Sequence, residues 1–222
     1  MQGEGQSGGL DWIGDTPVSR RHADPYHTGG LAETEHVFLA GNGLPGRFVP
    51  GFRIAELGFG TGLNLFAALA AWRATGVAGR LHYTGFESHP LPAAAMARAL
   101  APFPAAAEIA APFLAAWAQG ARVVLLPDLA AEIIVGDARA TLPAWGGRAD
   151  AWFLDGFAPA RNPDMWEPAL MAAVARHTAP GGTVASYTAA GHVRRALQAA
   201  GFAVERTPGH GAKRHMTKGR LP

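Results

Sequence analysis

The 222-residue chain has no cysteine. That excludes disulfides, thiolate nucleophiles and cysteine metal sites, and makes a cytoplasmic location the simplest expectation. It also lacks any run of roughly 20 uninterrupted apolar residues, the length needed to cross a bilayer. The Ala-rich stretch from Leu91 to Trp117 comes closest, but four prolines, Arg98 and Glu108 break it. The nine histidines show no H-x-x-x-H spacing, so no metal site is expected. Lysine is nearly missing: Lys213 and Lys218 are the only two, and every other basic residue is arginine, a bias that codon usage can produce. A net charge of +2 is weak support for a nucleic-acid partner. Met1 to Gly9 has neither the basic start nor the apolar segment of a signal peptide. Residues 1–14 are therefore expected to form a flexible tail. With 49% hydrophobic and 16% charged residues the chain is globular. Its length suits a single domain over 15–222, of which 15–50 forms an N-terminal flap or arm.

What is present is organised around Arg53 to Asn64, R-I-A-E-L-G-F-G-T-G-L-N. A short apolar run interrupted by Glu56 leads into Gly58, Gly60 and Gly62, and a helical run, Leu63 to Trp72, follows at once. Strand, tight glycine turn and helix together open a doubly wound α/β sheet that binds a nucleotide at the turn. One glycine lets the chain leave the strand, and another lets a ligand approach the backbone without meeting a Cβ. The spacing is G-x-G-x-G and not the G-x-G-x-x-G of a dinucleotide site, and an acid sits two residues before the first glycine. In both respects the loop resembles the first motif of class I S-adenosylmethionine-dependent methyltransferases. The alternatives are another nucleotide fold and a glycine loop with only a structural role.

In chain order, Tyr26 and Thr28 lie in an extended segment before the first sheet strand, as a flap over a ligand or a packing arm. Thr34 to Ala40 reads as a short helix ended by Gly41-Asn42-Gly43. Leu81 to Glu87 reads as the second strand. Its terminal Glu87 is placed either to accept from ribose hydroxyls or as an ordinary exposed strand-end acid. Pro90 to Ala118 reads as two or three short helices, and Arg122–Leu126 with Glu132–Val135 as a hairpin. Asp137 then follows a strand end, suited to an adenine amine or to a helix N-cap. Ala151 to Leu154 is a buried strand with Asp155 at its carboxyl end, across the crevice from the glycine loop. Asn162-Pro163-Asp164 is expected to open a helix through His177. Pro180-Gly181-Gly182 is expected to turn into a strand over 183–188, followed by helix 191–200 and strands over 203–206 and near 214–217. The basic run Lys213, Arg214, His215, Lys218, Arg220 reads equally as a solvated tail or an RNA contact.

With those motifs in place, the chain resembles the MnmC-like methyltransferase family from about Thr16 to Met216. The resemblance is carried by T-P-V-S, E-x-G-F-G-T-G-L-N, F-E-x-x-P-L, G-D-A and P-G-G-T. The run D-A-W-F-L-D-G-F-A-P-A-R-N-P-D-M-W carries it furthest. It implies a Rossmann-like sheet with an antiparallel last strand. The implied activity is S-adenosylmethionine-dependent N-methylation of the aminomethyl group of 5-aminomethyl-(2-thio)uridine at the tRNA wobble position. Gly58, Phe59, Gly60 and Gly62 would then cradle the methionine part of the cofactor, supported by Glu56 and Asn64. Glu87 would hold the ribose and Asp137 the adenine amine, while Tyr26 and Thr28 close over the cofactor. Asp155 would touch the cofactor and act as the catalytic residue that orients the acceptor amine. Phe157 and Pro159 would shape the acceptor pocket, and Lys213 and Arg214 would meet the RNA. The tRNA anticodon loop is the implied partner, and a separate enzyme is a candidate source of the aminomethyl uridine. The FAD-dependent oxidoreductase domain carried by many members has no counterpart here, so no FAD is expected. The chain departs from the family at His27, Ser88, His210 and His215.

An anticodon-loop base would stack on aromatics, with Phe157, Trp166 and Tyr187 as candidates. Two rivals remain in the sequence: a class I methyltransferase of a small amine, and a nucleotide-binding module without catalysis. A nicotinamide oxidoreductase is disfavoured by the glycine spacing.

Overall fold

The computed structural model describes residues 9–222. It opens with a small antiparallel sheet of three strands, β1 (Leu10–Ile13), β2 (Thr16–Ser19) and β3 (Asp24–Pro25). A short helix α1 (Gly30–Glu33) runs into a π-helix over Thr34–Leu39 and a 3₁₀ turn over Ala40–Asn42. The main body then alternates: β4 (Arg53–Leu57), α2 (Leu63–Thr75), β5 (Leu81–Glu87), α3 (Ala93–Leu100), α4 (Pro104–Ala118), β6 (Val123–Leu125), β7 (Leu129–Val135) and α5 (Ala138–Ala144). It continues through β8 (Ala149–Leu154), a 3₁₀ turn over Pro163–Trp166, α6 (Pro168–Arg176), β9 (Thr178–Ser186), α7 (Gly191–Ala199), β10 (Ala203–Pro208) and β11 (His215–Arg220).

Eight strands form one sheet in the order β10-β11-β9-β8-β4-β5-β7-β6. β4 pairs in parallel with both β5 and β8, β5 with β7, and β8 with β9. The last strand, β11, runs antiparallel to β9 and β10, as the family resemblance implied. The hairpin expected before Asp137 is β6–β7, which places a second antiparallel strand at the opposite edge. From β4 the chain moves outward through β5 and β7, then returns to the other side of β4 at β8. The switch point of the sheet therefore lies between β4 and β8, where open α/β sheets hold their ligands.

Side chains alternate across the pleat, so each central strand feeds two cores. Ile54, Ala151 and Phe153 pack on one face with Leu65, Phe66, Leu69 and Trp72 of α2 and with Phe113 of α4. Ala55, Leu57, Trp152 and Leu154 pack on the other with Leu170, Met171, Val174, Val193 and Leu197 from α6 and α7.

Four expectations need correction. Part of the anticipated tail is ordered: Leu10–Ile13 pairs with Thr16–Ser19, and Arg98 lies 4.0 Å over the Trp12 ring. Residues 1–8 of that tail lie outside the described residues. The helix anticipated from Asn162 is broken at Glu167, because Pro168 forces the preceding residue to an extended ψ of 147°. Pro180-Gly181-Gly182 lies inside β9 and not before it: the pairing slips between Ala149↔Thr178 and Ala151↔Thr183, and Gly181 (φ +71°) absorbs the extra residues. The last strand runs His215–Arg220, a few residues beyond the stretch anticipated.

Gly58 marks the switch point in space. Its φ is +87°, and a Cβ there would lie 2.2 Å from the Asp155 carbonyl oxygen. Gly79 has a similar φ of +92° with nothing within 4 Å. Gly79→Ala is expected to cost about 1 kcal/mol from backbone strain alone. Gly58→Ala is expected to cost roughly 3 kcal/mol or more, since the strands must also part. Urea denaturation of the two variants measures the difference; equal losses would mean that the β4–β8 approach is loose.

Candidate active site

A cleft of about 1370 Å³ opens at the carboxyl ends of the central strands. The glycine loop forms its floor through Gly58, Phe59, Gly60 and Thr61, and Glu87, Asp137 and Asp155 stand at the ends of β5, β7 and β8 around it. Tyr26, His27 and Thr28 cover it from the N-terminal arm. The arm also packs against the segment that follows β8. Asp24 accepts the Ala158 N–H at 2.9 Å, and His22 stacks on Phe157 with 4.7 Å between centroids.

Each glycine of the loop makes room for a different neighbour. A Cβ on Gly62 would strike Phe66, Phe59 and Met96, and one on Gly60 (φ +53°) would come within 3.0 Å of the Tyr26 ring. Glycine at 60 thus lets the arm's tyrosine lie down on the loop. The Gly60 N–H donates to Glu87 Oε2 at 3.0 Å, and the His89 N–H to Glu87 Oε1 at 2.7 Å. Glu87 is thereby fixed between loop and strand end with its carboxylate on the cleft wall. Burial raises the Tyr26 phenol pKa, with Glu87 adding to it.

Behind the loop lies a buried polar chain. Asn64, in the first turn of α2, donates from Nδ2 to Glu56 Oε1 at 2.6 Å and to Asp155 Oδ2 at 2.7 Å. Its Oδ1 accepts the Thr34 hydroxyl at 2.7 Å, and the second Glu56 oxygen accepts the Tyr83 hydroxyl at 2.6 Å. Burial pushes the Asp155 carboxyl up to about 7; Glu33 adds to the rise, while Asn64 and Lys213 oppose it. Burial raises Glu56 well above the carboxylate range, with Asp155 reinforcing it.

The far wall joins distant parts of the chain. Lys213, between β10 and β11, pairs with Glu33 at 2.5 Å and sits 4.0 Å over the Tyr187 ring. Tyr187 in turn donates to the Gly156 carbonyl at 2.7 Å. Glu33 also accepts from the Gly29 N–H and the Thr28 hydroxyl. Burial works against the Glu33 carboxylate, but Lys213 and these two donors outweigh it and hold its pKa below the usual range.

Most of the expected residues meet in this cleft: Tyr26, Thr28, Gly58, Phe59, Gly60, Asn64, Glu87, Asp137, Asp155, Phe157 and Lys213 all line it. Four do not. Glu56 is fully buried behind the loop, Gly62 sits under it, Pro159 lies off the lining, and Arg214 is exposed outside it. The Phe59 ring packs with Phe113 and Trp117 in the core, so only its backbone serves the loop. Asp137 caps α5 through the Arg139 N–H at 2.9 Å and is held below its usual pKa by the Arg139 guanidinium, which also reaches Asp164. Trp166 is a core residue whose indole N–H donates to the Phe157 carbonyl. Glu33 and Thr34 escaped the sequence reading. Their signal was positional, since Glu33–Val37 and Thr34–Phe38 are i, i+4 pairs that put both polar groups on the apolar face.

A family model described as S-adenosyl-L-methionine-dependent methyltransferase matches residues 103–222. The chain belongs to this methyltransferase family. It is 45% identical over 235 residues to the tRNA 5-methylaminomethyl-2-thiouridine biosynthesis bifunctional protein MnmC of Stutzerimonas stutzeri, covering 96% of this chain and 34% of that protein. The MnmC of Caulobacter vibrioides is 46% identical over 96% of the chain and 38% of its own length. The chain thus spans about a third of the length of the curated relatives it matches. Among solved structures, MNMC2 from Aquifex aeolicus superposes with a TM-score of 0.78 at 24% identity, over 99% of this chain and 72% of that one. Spermidine synthase from Thermotoga maritima superposes at 0.58 with 12% identity. These two likenesses establish the fold. Among the described residues no helix is long and apolar enough to cross a membrane.

Two measurements follow for this methyltransferase. In Glu87→Ala, affinity for S-adenosylmethionine is expected to fall by roughly 1–3 kcal/mol, the scale of hydrogen bonds to a charged group. Calorimetry checks it, and unchanged affinity with a lowered melting temperature would make Glu87 a loop brace only. The second is a pH effect. Asp155 holds its proton up to about pH 7 when folded but only to about 4 when unfolded. The folded state thus binds more protons between those values, so stability declines as pH rises from about 4 to 7 and levels off above. Asp155→Asn removes this term and is expected to be the more stable protein at pH 8. Urea titrations at pH 5 and pH 8 test it; a wild-type advantage at pH 8 would reverse the sign.

Proposed function

We propose that this methyltransferase transfers a methyl group from S-adenosylmethionine to the aminomethyl nitrogen of 5-aminomethyl-(2-thio)uridine at the tRNA wobble position. The observation that carries the reading is Asp155, a carboxylate at the switch point whose surroundings raise its basicity, on the wall of the cleft that the glycine loop floors. The names of the MnmC relatives support the choice of tRNA and of a methylaminomethyl product.

The residues present fit the cofactor. Glu87 and Asp137 offer acceptors at the ends of β5 and β7, suited to a ribose diol and an adenine amine. Gly58 and Gly60 leave backbone without side chains on the floor, and Tyr26 and Thr28 close above. The carboxylates around the cleft suit a ligand carrying ammonium and sulfonium charges. When bound, S-adenosylmethionine supplies an electrophilic methyl group on a positively charged sulfur.

The chain's own residues handle the acceptor. A primary alkylamine has a lysine-like pKa of about 10 and arrives mostly protonated. An ordinary carboxylate near 4 is a poor acceptor for that proton. Asp155, raised to about 7, stands about three units below the amine, a gap of roughly 4 kcal/mol. Asp155 therefore both takes the proton and aims the freed lone pair, and near-attack positioning alone contributes about 7 kcal/mol or more. Asn64 holds the carboxylate oriented while this happens. The Tyr187 ring face is already occupied by Lys213, and Trp166 is buried. Phe157, which lines the cleft and is already stacked on His22, is the aromatic placed to extend that stack to the uridine. Lys213, engaged with Glu33, shapes the pocket wall, and phosphate contacts fall to exposed groups such as Arg214.

The test is incubation of tRNA bearing the aminomethyl nucleoside with the protein and cofactor, followed by nucleoside mass spectrometry. One added methyl on the wobble nucleoside is expected; methylation of free alkylamines but not of tRNA would favour a small-amine enzyme. In Asp155→Asn, single-turnover rate is expected to drop about 10² to 10³-fold with cofactor affinity retained. A near-wild-type rate would remove Asp155 from the chemistry.

A further inference from the structure

Glu56 is an expected cofactor residue that the fold keeps buried behind the glycine loop. It is 0% exposed, and its two oxygens accept from Tyr83 and Asn64. A carboxylate that meets neither solvent nor ligand is costly to bury, and replacing such a group with an apolar one is often neutral or stabilising. Its placement thus calls for a role beyond folding. The neighbour across Asn64 is Asp155, and the two carboxylates share the two N–H groups of one amide. The Thr34 hydroxyl donates to the amide oxygen, so the amide cannot turn without losing three hydrogen bonds.

We propose that Glu56 is a positioning residue that acts through Asn64 on Asp155, fixing the orientation of the carboxylate on the cleft wall. The bearing on methyl transfer rests on the function proposed above; the coupling between the two carboxylates does not. Other charges face the pair. Asp155 also meets Glu33, Lys213 and Tyr187, and Glu56 meets Tyr83 and, further off, Glu87. Glu33 and Lys213 are paired with each other at 2.5 Å and largely cancel at Asp155. Glu56 reaches Asp155 through the shared amide of Asn64, and Asp155 in turn reinforces the rise that burial gives the Glu56 carboxyl.

Glu56→Gln is the direct variant. Gln keeps the shape, and its carbonyl can accept from Asn64 while its amide donates to the Tyr83 oxygen, so the site stays satisfied. The readout is the pH titration of the Asp155 side-chain carboxyl carbon by NMR in the intact, cofactor-free protein. Gln is a weaker acceptor than a carboxylate, so Asn64 is held less firmly and the Asp155 midpoint is expected to rise as that hydrogen bond loosens. An unmoved midpoint overturns the proposal. At saturating cofactor, the single-turnover rate is expected to fall about tenfold while S-adenosylhomocysteine affinity stays within about threefold. Lost affinity with an intact rate would return Glu56 to the cofactor site and also overturn it. Thr34→Val guards against a folding failure of the first variant. It removes only the pin on the amide, so the Asp155 midpoint is expected to rise as its hydrogen bond loosens. No change there breaks the chain at its first link. A shifted midpoint with unmethylated tRNA would sink the wobble-uridine reading and leave the coupling standing; methylated tRNA with an unmoved midpoint would do the reverse.

Discussion

The ends of β4 and β8 approach so closely that a single added carbon at Gly58 would sit 2.2 Å from the Asp155 carbonyl. The Asp155 N–H also donates to the Leu57 carbonyl at 3.0 Å, so the two strands stay paired up to the residue where they part. This contact fixes where Asp155 leaves the sheet relative to the glycine loop. Because β4 is hydrogen-bonded on both sides, to β5 and β8, it cannot shift to accommodate a larger residue at 58 without disturbing the sheet's centre. The site's geometry is therefore inherited from strand register. Catalytic positioning needs that kind of rigidity, since misplacement by about 1 Å costs about 10²-fold in rate.

The same closeness creates an electrostatic problem. It brings Glu56 and Asp155 together behind the loop, in surroundings that oppose the charge of each. The fold answers with donors: Tyr83 from β5, Asn64 from α2, and Thr34 from the π-helix one layer out. Each comes from a different element, so the network also ties the arm, the first crossover helix and two strands into one unit. A fully satisfied buried network of this kind specifies a single arrangement, whereas a partly satisfied one would destabilise it. The wider turn of a π-helix is common at functional sites, and here it begins at Thr34.

The sheet was legible in the sequence because its strands are short, apolar and bounded by glycine and proline. The bounds expected for β5, Leu81 to Glu87, are those observed. The acids on the cleft could be read for the same reason: Glu87 ends β5, Asp137 and Asp155 lie just beyond β7 and β8, and topology alone sends such residues to the cleft. What pattern could not show was burial sense. Glu56 lies within β4 and two residues before Gly58, and nothing in R-I-A-E-L says whether its side chain faces ligand or core. Its cross-strand partner depends on the β4–β5 register, which brings Tyr83 to it, and no local sequence states that register. The break at Glu167 was legible in principle from Pro168 but was overridden by the helical pattern on both sides.

The cleft wall around Asp155 was the least readable part, because three separate segments build it. The arm brings Thr28 and Glu33, the β8 end brings Asp155 and Phe157, and the β10–β11 connection brings Lys213. Lys213 was read as one of a basic run, yet its partners are Glu33, 180 positions away, and the Tyr187 ring. Burial explains why this pair differs from a surface ion pair. The Glu33 side chain is only 9% exposed, and its other oxygen is engaged by Gly29 and Thr28, so the pair is weakly screened and geometrically constrained. The arm and the β10–β11 connection are therefore linked at the cleft, beside the carboxylate that faces it. A rigid sheet end thus meets a wall assembled from loops. Loop-borne walls on a fixed strand framework are how one fold takes different acceptors without disturbing the centre that positions the reaction.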